Sequence, residues 1–172
     1  CVLSGQVDRL ILAVDSIAQA EPMAKAAEDH GCVLEVRIEV DCGGGRTGIE
    51  MEHFAPLVAF VENAPGLKLT GLYTFRGLNG GLADPAQAGA REAELLAQYR
   101  AEAEKICGRR LEVSGGSSPT GLYVAQSGQA DEIRPGTYIF SDYMMHKECG
   151  APLDHVAARL LVTVVSVHQD YV

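Results

Sequence analysis

Two arginines stand in glycine-containing segments that could bind an anion. Arg46 belongs to Asp-Cys-Gly-Gly-Gly-Arg-Thr-Gly at 41–48, and Arg134 belongs to Glu-Ile-Arg-Pro-Gly-Thr-Tyr-Ile-Phe at 132–140. Consecutive glycines let backbone N–H groups approach a ligand closely, and a guanidinium presents a planar charged fork to an oxyanion. Both segments therefore predict anion binding, with a flexible loop and a structural salt bridge as the respective alternatives.

A third segment, Ser-Gly-Gly-Ser-Ser-Pro-Thr at 114–120, is the most probable phosphate site. Its hydroxyl and N–H groups precede a short predicted helix, whose dipole favours an anion. The segment lacks the lysine of a nucleotide-binding P-loop, which argues against that class of site. A serine-rich turn is the alternative. The predicted phosphate contacts here are Gly116, Ser117 and Ser118, and Gly136 and Thr137 of the later segment supply further N–H groups.

An aromatic pair lies in the segment Gly-Leu-Tyr-Thr-Phe-Arg-Gly at 71–77. In an extended chain Tyr73 and Phe75 point to the same side, so they can flank a flat ring. Ordinary core aromatics are the alternative.

Apolar runs and helical patterns alternate along the chain, which predicts a parallel sheet with right-handed crossovers. Because parallel strands end at one edge of a sheet, the four segments are expected to converge there. Their combined inventory fits an anionic, flat, heteroaromatic ligand such as pyridoxal phosphate, with flavin mononucleotide as the alternative. The predicted strands are 9–14, 33–40, 67–73, 111–113 and 132–133, and the predicted helices are 16–30, 51–63, 84–107 and 119–127.

Charge and cysteine content exclude several classes of partner. The net charge of -9 over 172 residues offers no electrostatic footprint for nucleic acid or an anionic membrane. The five cysteines form no CxxC pair, which argues against a disulfide framework and favours a cytoplasmic protein. No apolar stretch approaches the roughly 20 residues that a membrane helix needs.

The motifs at 39–48, 71–74, 113–120 and 132–140 together resemble the D-threonine aldolase and D-serine dehydratase group. This group shares the fold of the alanine racemase N-terminal barrel, and the resemblance extends over about 10–167. It implies a partial TIM-like (β/α) barrel in residues 1–148, with about five of eight strands. Residues 149–172 are expected to form a connection and, in the valine-rich stretch 157–167, the first strand of a β second domain. The chain is therefore expected to be a fragment of a longer protein.

The resemblance also implies roles for individual residues. Arg46 would lie near the phenolic oxygen of pyridoxal phosphate, and Arg134 would face its pyridine nitrogen. The full set of cofactor-binding residues implied in this way is Arg46, Tyr73, Phe75, Gly116, Ser117, Ser118, Arg134, Gly136, Thr137 and Tyr138.

Three departures from the family pattern limit what this chain can do alone. The family's Schiff-base lysine lies upstream of these residues, and its divalent metal ligands, for Zn or Mn, lie in the second domain. His168 is a lone histidine and is not assigned as a ligand. Phe75 replaces a family histidine, so it can stack on a ring but cannot transfer a proton.

We expect the parent protein to be a pyridoxal-phosphate-dependent lyase, an aldolase or a dehydratase, acting on D-amino acids with a β-hydroxyl group. An amino-acid racemase and a non-enzymatic pyridoxal-phosphate-binding protein are the alternatives. The partners expected are a small amino-acid substrate and, from the resemblance alone, a second copy in a homodimer.

Overall fold

A computed structural model describes residues 1–78 and 84–170. Five parallel strands form one sheet in the order β1-β2-β3-β4-β5, and helices alternate with them along the chain. The strands are β1 Ile11–Val14, β2 Leu34–Glu39, β3 Leu67–Tyr73, β4 Glu112–Gly115 and β5 Glu132–Ile133. The helices are α1 Ile17–Asp29, α2 Met51–Asn63, α3 Pro85–Cys107, α4 Gly121–Ser127 and α5 Tyr143–Cys149, with short 3-10 turns at Leu3–Gly5 and Leu153–His155.

Local sequence explains where the long helix α3 begins and ends. The Asp84 side chain accepts the Ala86 N–H at 2.9 Å, and Pro85 occupies the first helical position, where its missing N–H costs nothing. Gly108 ends the helix in the left-handed conformation, with φ of 65°. These signals lie in the sequence itself, which is why the predicted limits of α3 agree with the observed ones.

The two faces of the sheet differ in chemistry. Side chains alternate along β2, so Val36 and Ile38 lie on the face that packs against the helices and are fully buried with Phe54 of α2 and Leu96 of α3. The intervening side chains Glu35, Arg37 and Glu39 lie on the other face. The hydrophobic core therefore lies between sheet and helices, and the opposite face is polar.

Charged side chains link the strands across this polar face. Arg37 is 9% exposed and forms ion pairs with Glu112 of β4 at 2.8 Å and with Glu132 of β5 at 3.0 Å. The Ser114 hydroxyl donates to the Glu132 carboxylate at 2.6 Å. This hydrogen bond and the Arg37 ion pair lower the pKa of Glu132 despite partial burial. The network ties the short strand β5 to the rest of the sheet.

The predicted alternation of parallel strands and helices is confirmed, and the limits of α2, β3 and β5 match those expected. The strand expected at 157–167 is not formed in the described residues. A strand needs a neighbour with which to exchange backbone hydrogen bonds, and this segment stands away from the sheet with Leu161 99% and Val165 93% exposed. The assignment of 149–172 to a second domain stays a prediction.

Within the described residues, no helix combines the length and the apolar character needed to cross a bilayer.

Candidate functional site

A cavity of about 430 Å³ opens where β3, β4 and β5 end. Its volume falls in the range of roughly 300–1,000 Å³ typical of small-molecule sites. It combines hydroxyl groups, a guanidinium and an aromatic ring, which is the inventory expected from the sequence. The lining residues are Phe75, Gly77, Leu78, Ser117, Ser118, Pro119, Arg134, Gly136, Thr137 and Met144.

The β4–α4 loop owes its shape to the buried carboxylate of Glu92. The Gly116 N–H donates to one Glu92 oxygen at 2.7 Å, and the Thr120 hydroxyl donates to the other at 2.8 Å. The Ser117 N–H in turn donates to the Thr120 hydroxyl oxygen at 3.0 Å. The N–H groups of Gly116 and Ser117 are thus engaged inside the protein. Ser117 lines the cavity, whereas Gly116 only shapes the loop.

Gly116 is required by the tightness of this loop. Its φ is +78°, and a Cβ added there would lie 2.8 Å from the Cα of Gly121. Gly136 also lines the cavity, but the space around it is open, because a Cβ added there would meet no atom within 4 Å. The backbone at Gly136 is therefore open to a ligand.

Ser118 joins the two halves of the predicted phosphate site. Its hydroxyl oxygen accepts the Thr137 N–H at 2.9 Å, which links the β4–α4 loop to the segment after β5. Both residues line the cavity. A hydroxyl in this position can still donate its own proton to a bound anion.

Arg134 is held at the edge of the cavity by two neighbouring strands. Its Nε donates to the Ser114 hydroxyl at 2.8 Å, and its Nη2 donates to the carbonyl oxygen of Thr74. The guanidinium carbon lies 5.0 Å from the centroid of the Tyr73 ring, a cation–π distance. The structural salt bridge considered as an alternative does not describe these contacts, since the partners are a hydroxyl, a carbonyl and a ring.

Tyr73 lies beneath Arg134 rather than in the cavity lining. Its hydroxyl donates to Glu39 at 2.7 Å, and burial together with this hydrogen bond raises the pKa of the phenol. The Tyr73 side chain therefore stays neutral at physiological pH and serves to support the guanidinium.

Arg46 lies outside the cavity lining and stacks on its aromatic wall. The guanidinium carbon is 4.5 Å from the centroid of the Phe75 ring. Phe75 thus lines the cavity, and its ring also packs against the Arg46 guanidinium. Any aromatic ring can make this cation–π contact, and it involves no proton transfer.

The glycines before Arg46 bind an anion that belongs to the chain. The Asp41 carboxylate accepts the N–H groups of Gly43 and Gly44 at 2.8 Å each and that of Gly45 at 3.2 Å. The expectation that these N–H groups serve an external ligand is therefore corrected, because Asp41 is near enough in sequence to occupy them first. Arg46 remains exposed at the end of this loop.

Tyr138 does not reach the cavity. Its side chain is 67% exposed and lines a separate, smaller opening with Ile139, Met145 and His155. The structure thus brings together Phe75, Ser117, Ser118, Arg134, Gly136 and Thr137, and it leaves Arg46, Tyr73, Gly116 and Tyr138 outside the lining.

Sequence analysis did not identify Glu92. A signal was present, because Glu92 lies midway between Ala88 and Leu96 on the buried stripe of α3, where an acidic side chain is costly. Ser114 and Thr74, the partners of Arg134, carried no comparable signal.

A larger opening of about 720 Å³ lies at the same edge of the sheet, between the loops after β1 and β2. It contains the carboxyl groups of Asp15 and Glu50, which repel a phosphate, and none of the predicted cofactor-binding residues. The 430 Å³ cavity is therefore the better candidate for an anionic ligand.

In residues 1–78 and 84–170 no group of three or more His, Cys, Asp and Glu side chains is arranged to hold a metal ion. The family resemblance implies metal ligands in a second domain, and that expectation stays a prediction.

Comparison with known proteins assigns the chain to a family. Residues 4–144 match the alanine racemase N-terminal domain, and the chain belongs to this family of pyridoxal-phosphate-dependent enzymes. The resemblance inferred from the four motifs is confirmed. D-threo-3-hydroxyaspartate dehydratase of Delftia sp. HT23 is 32% identical over 166 residues, which cover 94% of this chain and 44% of the dehydratase.

Two solved structures and one further relative agree with this assignment. The crystal structure of D-threonine aldolase from Filomicrobium marinum superposes with a TM-score of 0.72 at 30% identity, over 79% of this chain and 38% of the aldolase. The structure of the Delftia dehydratase superposes with a TM-score of 0.78 at 29% identity, over 91% of this chain and 42% of the enzyme. An uncharacterized protein of Mycobacterium bovis is 32% identical over 139 residues, which cover 75% of this chain and 80% of that protein. The chain spans less than half the length of the dehydratase and the aldolase.

The lining of the cavity combines groups of the kinds that could hold pyridoxal phosphate. Ser118 and the open backbone at Gly136 suit a phosphate, Phe75 offers an aromatic ring, and Arg134 offers a guanidinium. Met144 and Leu78 supply apolar surface for the remainder of a flat ring. The residues present therefore fit the cofactor of the family.

Proposed function

We propose that this chain supplies the cofactor-binding part of a pyridoxal-phosphate-dependent lyase that acts on D-amino acids with a β-hydroxyl group, as an aldolase or a dehydratase. The observation that carries the proposal is the cavity at the ends of β3, β4 and β5, which unites Phe75, Ser118, Arg134 and Gly136. The whole protein's activity is part of the proposal, since this chain covers 44% of the Delftia dehydratase.

Each residue has a distinct task in the proposed site. The Ser118 hydroxyl and the N–H at Gly136 bind the phosphate, and Phe75 stacks on the pyridine ring of the cofactor. The Arg46 guanidinium packs against the Phe75 ring from outside the cavity. The bound cofactor supplies an electron-withdrawing ring that stabilises negative charge at the substrate Cα.

Arg134 is proposed to face the ring nitrogen. Ser114 and the Thr74 carbonyl fix its guanidinium, and Tyr73 lies against it, so it cannot swing away. Because a guanidinium does not give up its proton, it disfavours a second positive charge on the ring nitrogen and so moderates electron withdrawal.

The rest of the site is proposed to come from outside the described cavity. The five strands correspond to about five of eight in a closed barrel, residues 149–172 lead to a β second domain, and the lysine that carries the cofactor lies on an earlier strand. A divalent metal, Zn or Mn, would bind in the second domain, and the whole protein would form a homodimer. The names of the relatives support the substrate class, because D-threonine and 3-hydroxyaspartate both carry a β-hydroxyl group.

Product analysis on the whole protein that contains these residues tests the proposed reaction. With pyridoxal phosphate and a divalent metal, D-threonine or D-threo-3-hydroxyaspartate is expected to give either glycine plus an aldehyde or ammonia plus a 2-oxo acid. The L-amino acids are the control and are expected to give neither. Conversion of D-alanine to L-alanine in place of these reactions would show a racemase, and cofactor binding without any turnover would show a non-enzymatic binding protein.

A further inference from the structure

Glu92 is a buried carboxyl group that the proposed reaction does not use. It lies on α3 with 0% of its surface exposed, among the apolar residues that pack the helix against the sheet. Burial raises the pKa of this carboxyl, and only hydrogen bonds from Gly116 and Thr120 and the charges of Arg76 and Arg134 oppose that effect. A group so costly to bury is expected to perform a specific task.

The contacts of Glu92 converge on one loop. One oxygen accepts the Gly116 N–H at 2.7 Å, and the other accepts the Thr120 hydroxyl at 2.8 Å. Thr120 then accepts the Ser117 N–H at 3.0 Å, and its hydroxyl lies 2.9 Å from that of Ser117. Glu92 and Thr120 therefore hold both ends of the turn, and Ser118 projects from its middle.

The direction of these hydrogen bonds determines what the loop offers to the cavity. The N–H groups of Gly116 and Ser117 and the Ser117 hydroxyl are bonded within the protein, so the loop presents the Ser118 side chain to the cavity. Without Glu92, the Gly116 N–H and the Thr120 hydroxyl would lose their acceptor, and Ser118 would lose its position opposite Thr137.

We propose that Glu92, acting through Gly116 and Thr120, is a positioning residue that holds the β4–α4 loop in the shape that receives the phosphate group of the cofactor. This inference rests on the proposed function, because it takes the phosphate of pyridoxal phosphate as the ligand. Glu92 itself touches neither the cofactor nor the reacting atoms.

The test compares two ligands that differ only in the phosphate. In the whole protein, the dissociation constants of pyridoxal phosphate and of pyridoxal are measured by equilibrium dialysis for the wild type, Glu92→Gln and Glu94→Gln. Glutamine keeps the size of Glu92 but replaces one acceptor by a donor. We expect Glu92→Gln to weaken pyridoxal phosphate binding about tenfold, the equivalent of one lost hydrogen bond, and to leave pyridoxal binding unchanged. Glu94 is exposed on the same helix, and its variant is expected to match the wild type.

A second pair of variants tests the same link without changing the buried carboxyl. Thr120→Val removes only the hydroxyl and is expected to repeat the selective loss, whereas Thr120→Ser restores the hydroxyl and is expected to restore the affinity for pyridoxal phosphate. This pair decides the question if Glu92→Gln does not fold.

Two results would overturn the inference while leaving the proposed function intact. One is unchanged binding of pyridoxal phosphate in the variants, and the other is an equal loss for both ligands, which would indicate a general role in folding. Failure of the wild type to bind pyridoxal phosphate would instead overturn the proposed function, and the inference with it.

Discussion

The Asp41 carboxylate occupies the glycine-rich loop after β2, accepting the N–H groups of Gly43, Gly44 and Gly45. A run of N–H groups that converges on one point is a general anion site, and an aspartate two to four residues away reaches it without any ligand. These hydrogen bonds fix the shape of the loop, which places Arg46 over the Phe75 ring. The same logic applies to Glu92, which occupies the N–H group of Gly116.

The two glycines of the candidate phosphate site provide a prediction with an internal control. Gly116→Ala forces a Cβ to within 2.8 Å of the Gly121 Cα in a left-handed backbone, so the free energy of unfolding is expected to fall by about 1–3 kcal/mol. Gly136→Ala meets no atom within 4 Å and is expected to leave it unchanged. Urea unfolding of the whole protein measures both, and equal stability of the two variants would contradict this description of the loop.

Convergence of Phe75, Ser118 and Arg134 was predictable because each follows a strand, and parallel strands end at one edge. The partners of these residues were not predictable. Glu92 meets the β4–α4 loop through the three-dimensional path of the backbone, since it lies 24 residues before Gly116 in sequence. Residue type and spacing therefore predict which groups gather, whereas their hydrogen-bond partners depend on packing.

At the scale of elements, the two faces of the sheet make different kinds of contact. The apolar face packs on α1, α2 and α3, and the polar face is linked by Arg37, Glu112 and Glu132. Because β5 is only two residues long, side-chain links from Ser114 and Arg37 to Glu132 supplement its few backbone hydrogen bonds. The position of Arg134, immediately after β5, depends on this attachment.

A pH-dependent contribution to stability follows from the Glu132 link. The pKa of Glu132 is lowered from its ordinary 4.5, so its contribution is complete above about 4.5 and is lost as the pH falls through the folded-state value. We expect Glu132→Gln to lower the free energy of unfolding at neutral pH by about 1 kcal/mol or less, since this side chain is partly exposed, and to reduce its acid dependence. Chemical unfolding at a series of pH values measures this. An identical acid dependence in Glu132→Gln and the wild type would contradict it, and Glu28→Gln, an exposed helical site, is the control.

Helices and strands were predictable wherever the sequence contains its own start and stop signals, as at Asp84, Pro85 and Gly108 of α3. The segment 157–167 was predicted as a strand from its alternating, valine-rich pattern, and it forms no strand in the described residues. A strand also needs a neighbouring strand with which to form backbone hydrogen bonds, and the sequence of one segment does not show whether such a strand is present. The polar face was also not foreseen, since single strands such as 33–40 read as apolar runs interrupted by charges.

At the scale of the whole molecule, the chain is one part of a larger arrangement in its relatives. It spans 44% of the Delftia dehydratase and superposes on that enzyme's structure over 91% of its own length. β1 and β5 are the outer strands of the described sheet, each with an edge open to a further strand. A closed barrel would place Arg37 and Glu132 in its interior and the candidate site at its rim, which is where barrels of this kind carry their sites.

A crystal structure of the whole protein grown with pyridoxal phosphate tests the central claim most directly. We predict that the phosphate lies in the 430 Å³ cavity within hydrogen-bond distance of Ser118 and Gly136, with Phe75 against the ring and Arg134 at the ring nitrogen. A phosphate found in the 720 Å³ opening beside Asp15, or a ring that contacts neither Phe75 nor Arg134, would contradict the proposed site.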